Sequence, residues 1–99
     1  MYRQGDVLLV TCEADRSGET VPPGERGHIL AEGEATGHAH TIHADDAVMM
    51  RSGTARHLRI VRPTMLRHDE HDPIKVPKGT YRVIIQREYT PEGVRNVED

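Results

Sequence analysis

Histidine is the residue type in this chain whose spacing carries the most chemistry. His38 and His40 stand two apart, and in a strand that spacing puts both side chains on one face, about 6.5–7 Å apart at Cα and close enough to share a metal. A second pair, His68 and His71, is interleaved with Asp69 and Glu70 and followed by Asp72. If the two pairs converge, they can form a tetrahedral or octahedral site for a divalent transition metal. With carboxylates nearby and Cys12 the only thiol, zinc comes first, and iron, manganese, nickel and copper also fit. Glu70 is an extra ligand or a partner to one. An open coordination position would suit metal-assisted hydrolysis with Glu34, Glu70 or Glu88 as base, whereas a closed four-histidine site would suit a structural or binding role.

The same side chains allow a metal-free reading. A histidine beside a carboxylate can act as general acid or base, and two could manage both proton transfers of an ester or phosphodiester cleavage. Histidines also cap turns, satisfy buried backbone groups or sit in solvent, and seven in one chain are enough to produce chance pairs. His43 faces away from His38 and His40 in a regular strand, while His28 and His57 read as structural or exposed.

The elements that must position these residues are strands. Asp6 to Cys12 is a β-branched and aliphatic run, followed by short candidates at 28–31, 38–43, 47–50, 56–61 and 65–68. The segment from Thr80 to Tyr89 is the longest and most β-prone, and Val94 to Glu98 suggests a short edge strand. Residues 13–27 hold Gly18, Pro22, Pro23, Gly24 and Gly27, which predicts a long mobile loop without regular structure. No window repeats apolar residues at three and four, so helices are absent or limited to single turns. The fold class is all-β, a small antiparallel barrel or compressed sandwich of about seven to nine short strands.

Ninety-nine residues make one domain over 1–99, and a chain of this size buries roughly 65% of its unfolded surface. With neither Trp nor Phe, the core must come from Val, Ile, Leu and Met. A lone cysteine excludes an intramolecular disulfide and a CxxC redox centre and fits a reducing, cytoplasmic setting. No signal-like or membrane-spanning apolar run is present. The formal charge of −3 argues against nucleic acid unless Arg51, Arg56, Arg59, Arg62 and Arg67 form a local patch; a solvated strand face is the plainer explanation. The edges of so small a sheet favour a homodimer.

The stretches Gln4-Gly5-Asp6, Glu32-Gly33-Glu34-Ala35-Thr36-Gly37-His38-Ala39-His40, His68-Asp69-Glu70-His71 and Gln86-Arg87-Glu88-Tyr89 together resemble a family of small uncharacterised bacterial and phage proteins with QGD, EGExTGHxH, HxEH and QREY motifs. The resemblance spans nearly the whole chain and implies a shared role for His38, His40, His68, Glu70 and His71, without naming an activity. In architecture, the HxH strand after a glycine and the later Pro77-Lys78-Gly79 turn are similar to cupins. The glutamate cupins carry after HxH is missing, with Asp45 and Asp46 as imperfect substitutes. The opening strand and the Pro/Gly loop are similar to the co-chaperonin barrel.

Overall fold

The computed structural model describes residues 1–13, 18–33, 35–90 and 93–96, with residues 87–90 and 93–96 described through their backbone pairing. Ten short antiparallel strands lie between residues 2 and 85: β1 (Tyr2–Gln4), β2 (Val7–Thr11), β3 (Glu19–Val21), β4 (His28–Glu32), β5 (Ala39–Ile42), β6 (Ala47–Ser52), β7 (Ala55–Ile60), β8 (Thr64–Leu66), β9 (Ile74–Val76) and β10 (Gly79–Ile85). A further hairpin, β11 (Arg87–Thr90) and β12 (Gly93–Asn96), follows. Among the described residues there is no α-helix, only a single 3₁₀ turn at Ala44–Asp46, and no helix long and apolar enough to cross a membrane.

The main sheet has six strands in the order β1-β2-β10-β7-β6-β3. Its end strands do not meet, so the barrel expected from the pattern does not close. The physical reason lies in strand length. The end strands β1 and β3 have three residues each, too few for the continuous ladder and stagger that closure requires. Instead the shorter β4–β5 and β8–β9 ladders lie over one face, joined by reciprocal backbone hydrogen bonds between Thr41 and Arg67 (2.8 and 2.9 Å). The result is nearer to the compressed sandwich.

Alternation places the core between these layers. Leu9, Leu58, Ile60, Met49, Tyr81 and Val83 point inward from the main sheet, and Leu30, Ile42, Leu66 and Val76 meet them from the covering ladders. Each fully buried aliphatic side chain stabilises the fold by about 1.5–3 kcal/mol relative to exposure. Gly27, at φ +84°, passes so near β5 that a Cβ would lie 2.5 Å from the Ile42 carbonyl oxygen, so only glycine fits there.

Two elements depart from the sequence reading. Glu19–Val21, inside the predicted loop 13–27, pairs with β6 as an edge strand, because Thr20 and Val21 are β-prone and β6 offers an open ladder. The Thr80–Tyr89 run is divided at Gln86 into β10 and β11; the Gln86 N–H still donates to the Asp6 carbonyl (2.8 Å), in register with the β2–β10 ladder, where β2 meets the first hairpin turn. The arginines also separate. Arg56 turns inward and donates to the carbonyls of Ile29 (3.5 Å) and Leu30 (2.6 Å), where β4 has a register shift, and burial lowers its pKa. Arg62 pairs with Asp46 (3.2 Å), and Arg59 lies exposed on the opposite face of β7.

Candidate functional site

The site begins at the β1–β2 hairpin. Gln4 pairs with Val7, leaving Gly5-Asp6 as a two-residue loop; Gly5 has φ 58° and Asp6 does not have positive φ. A left-handed first position followed by an ordinary second is the signature of a type II′ turn, which suits the twist of the flanking strands and favours glycine first. The turn carries Gln4 and Asp6 into the interior, only 3% and 4% exposed.

Both residues meet His40 on β5, which is completely buried. The Gln4 side-chain amide donates to the carbonyls of Leu66 and Asp72, each at 2.9 Å. Its oxygen is thereby turned towards His40 Nδ1, also 2.9 Å away. On the other side of the ring, His40 Nε2 lies 3.3 Å from Asp6 Oδ1. Gln4 thus ties three elements together: the first hairpin, the end of β8 and the loop that follows it.

That loop supplies the second histidine pair. The His68 ring centre lies 4.3 Å from that of His40 and 4.6 Å from that of His71, while His40 and His71 are 5.9 Å apart with nearly parallel rings. His68 Nδ1 accepts the backbone N–H groups of Glu70 (3.0 Å) and His71 (3.2 Å), so the side chain organises its own turn. His71 Nε2 is buried without a hydrogen-bond partner among the described residues. His38, just ahead of β5, meets His68 edge-on at 5.8 Å and places Nδ1 3.4 Å from Glu70 Oε1 at the more exposed rim.

Asp69 clamps the two histidine segments together. Its Oδ1 accepts the Ala39 N–H (3.0 Å) and pairs with Arg26 (3.2 Å). The Ala39 hydrogen bond holds the Asp69 carboxyl below its ordinary pKa of 3.8, helped by the charges of Arg26 and His38 and opposed by partial desolvation.

All four histidines singled out by spacing, His38, His40, His68 and His71, therefore gather in one cluster, with Glu70 at its rim. Glu34 and the side chain of Glu88 lie outside the described residues. Asp45 and Asp46 belong elsewhere: Asp46 accepts from Thr64 (2.7 Å) and pairs with Arg62 at the 3₁₀ turn. His43 is exposed and accepts the Asp45 N–H, and buried His28 faces the Ala47 carbonyl through Nε2 (2.8 Å). Gln4 and Asp6 were missed as site residues. Their signal was two polar residues flanking a hairpin glycine immediately before an apolar run. As the side chains stand, no three His, Cys, Asp or Glu groups among the described residues are disposed to hold one metal ion.

Fold and cluster together define an all-β domain organised around a buried histidine–carboxylate centre. Over residues 3–86 the chain matches the family described as Domain of unknown function (DUF8820), and it belongs to that family. No curated protein and no solved structure matches it.

Proposed function

We propose that this domain binds a divalent transition metal, zinc before iron, manganese, nickel or copper, in the cluster built on His38, His40, His68 and His71. The observation that carries the reading is convergence: the Gln4-Gly5-Asp6 turn, the His38-Ala39-His40 segment and the His68-to-His71 loop are distant in sequence but meet around one wholly buried imidazole. Several imidazoles and a carboxylate gathered with apolar packing beneath them provide the donor set of zinc and related metals. A position left open to solvent would support hydrolysis of a small ester or phosphoester, with Glu70 the described carboxylate at the rim. The three-residue end strands β1 and β3 are the edges at which a second copy could pair.

A metal-free reading has its own support. Both ring nitrogens of His40 face acceptors, Gln4 Oε1 and Asp6 Oδ1, which is the arrangement of a protonated imidazole paired with a buried carboxylate. Such a pair could serve acid–base chemistry or simply hold the fold.

Metal content of the untagged protein by mass spectrometry, with thermal unfolding before and after chelation, separates the two. About one metal per chain is expected, together with a lower unfolding temperature after chelation and loss of both effects in His40→Ala. Metal-free protein that ignores added zinc and chelator alike would overturn the metal reading and leave the buried ion pair.

A further inference from the structure

We infer that the outer face of the six-stranded sheet, around Arg59, Arg82 and His57, is a docking surface for an acidic segment of a protein partner that also carries aliphatic side chains. The inference stands apart from the metal reading, because this face is turned away from the covering ladders and the histidine cluster.

Alternation decides which side chains the face presents. Leu9, Leu58, Met49, Tyr81 and Val83 enter the core, so their neighbours along each strand point the other way. Cross-strand register then sets Arg82 between Val10 and His57, and Arg59 between Thr80 and Val48. Arg59 and Arg82 are exposed, while Val10, Val48 and His57 are half-buried. Leu8, at the margin of the face, is already buried.

The charge here has one sign. The six strands of the main sheet contain five arginines and a single acidic residue, Glu19. Glu19 shares the parity of Val21, which packs against the core, and so does not belong to the outer face. Arg26 and Arg62 each pair with an aspartate, and Arg56 donates to backbone carbonyls. Arg59, Arg82 and His57 have neither an ion pair nor a side-chain hydrogen bond among the described residues. Arg59 and Arg82 are diagonal neighbours on adjacent strands, about 7–8 Å apart, where like charges repel. Two carboxylates set against them would replace that repulsion with charge-assisted hydrogen bonds.

Three kinds of anionic or apolar partner can be compared. A second copy placed on this face by a two-fold axis would set arginine against arginine. Single-stranded nucleic acid calls for aromatic rings on which bases stack, but the tyrosines of this sheet, Tyr2 and Tyr81, pack edge to face on the core side. A phosphate backbone also draws on many cations at once. A protein segment with two carboxylates about 7 Å apart, the spacing of residues i and i+2 in an extended chain, matches the two arginines. Its aliphatic side chains would cover Val10 and Val48.

Fluorescence anisotropy on the full chain tests the assignment, with a labelled peptide repeating Glu-Ser-Glu-Ser-Leu-Ser, which when extended presents two glutamates and a leucine on one face. The wild type should bind it, more weakly as salt is added. Arg59→Glu combined with Arg82→Glu should weaken binding at least about tenfold, whereas Arg67→Glu, exposed beside the covering ladders, should change it by less than about twofold. A wild type that does not bind the peptide, unchanged binding in the double variant, or an equal loss in Arg67→Glu would overturn the surface. Tighter binding of an oligouridylate or of phosphatidylserine vesicles than of the peptide would overturn the choice of a protein partner. If the double variant does not fold, amide NMR titration of the wild type decides: shifts gathered at Val10, His57, Arg59 and Arg82 support the surface, and shifts gathered elsewhere overturn it.

Discussion

His28 and His40 are the two most deeply buried histidines among the described residues, at 3% and 0% exposure, yet they inhabit different chemistry. His28 satisfies one nitrogen on the Ala47 carbonyl and borders a cleft of about 230 Å³ lined by apolar residues such as Val21, Ile29 and Met49. Its Nδ1 is buried without a hydrogen-bond partner among the described residues, but no carboxylate or second imidazole is found with it in that lining. His40 has a carboxylate on one nitrogen, an oriented amide on the other and two imidazoles beside it. Burial makes a histidine costly to mishandle; the groups around it decide whether it can do chemistry.

The largest expected difference between the two regions is in stability. In the presence of chelator, His40→Ala should destabilise the protein by about 3–5 kcal/mol, because it leaves the Asp6 carboxylate buried without its counterpart. His28→Phe preserves shape and loses one hydrogen bond, so about 1–2 kcal/mol is expected, with no change in metal uptake. Urea unfolding of both variants makes the measurement, and equal losses would break the distinction drawn between the two histidines.

A smaller effect belongs to the interior away from both. Tyr81 donates to the Pro77 carbonyl (2.9 Å), and Tyr81→Phe should cost about 1 kcal/mol without affecting metal binding. Desolvation, and then the neighbouring Tyr2, raise the Tyr81 pKa above its ordinary 10.0. The unfolded chain therefore ionises first, and this contribution to stability is present below pH 10 and lost as pH rises through the folded value. Alkaline unfolding curves should show a steeper decline for wild type than for Tyr81→Phe.

The smallest effect is expected at the rim. Glu70 is 58% exposed and 3.4 Å from His38, so Glu70→Gln should change stability by less than about 0.5 kcal/mol. A larger loss in thermal unfolding would move Glu70 from the rim into the centre.

How much of this was legible before folding varies with the range of the interaction. The β7 strand and the turn preceding it could be read because alternation and glycine act over a few residues. The histidine segments were legible as candidates through spacing. β3 was obscured by the prolines and glycines around it, since its pairing depends on the edge that β6 exposes. Arg56 looked like part of a basic run until the carbonyls of Ile29 and Leu30 claimed it.

By itself, the sequence determined an aliphatic all-β domain without a disulfide and a short inventory of imidazoles and carboxylates, because composition and period-two patterning are local properties. Only the tertiary structure decided that the sheet stays open, that Gln4 and Asp6 reach His40, and that His68 and His71 pack beside that ring. Those outcomes depend on groups tens of residues apart in the chain meeting at close range, as Asp6 does with His40 and Gln4 with Asp72. No pattern of near neighbours encodes such meetings.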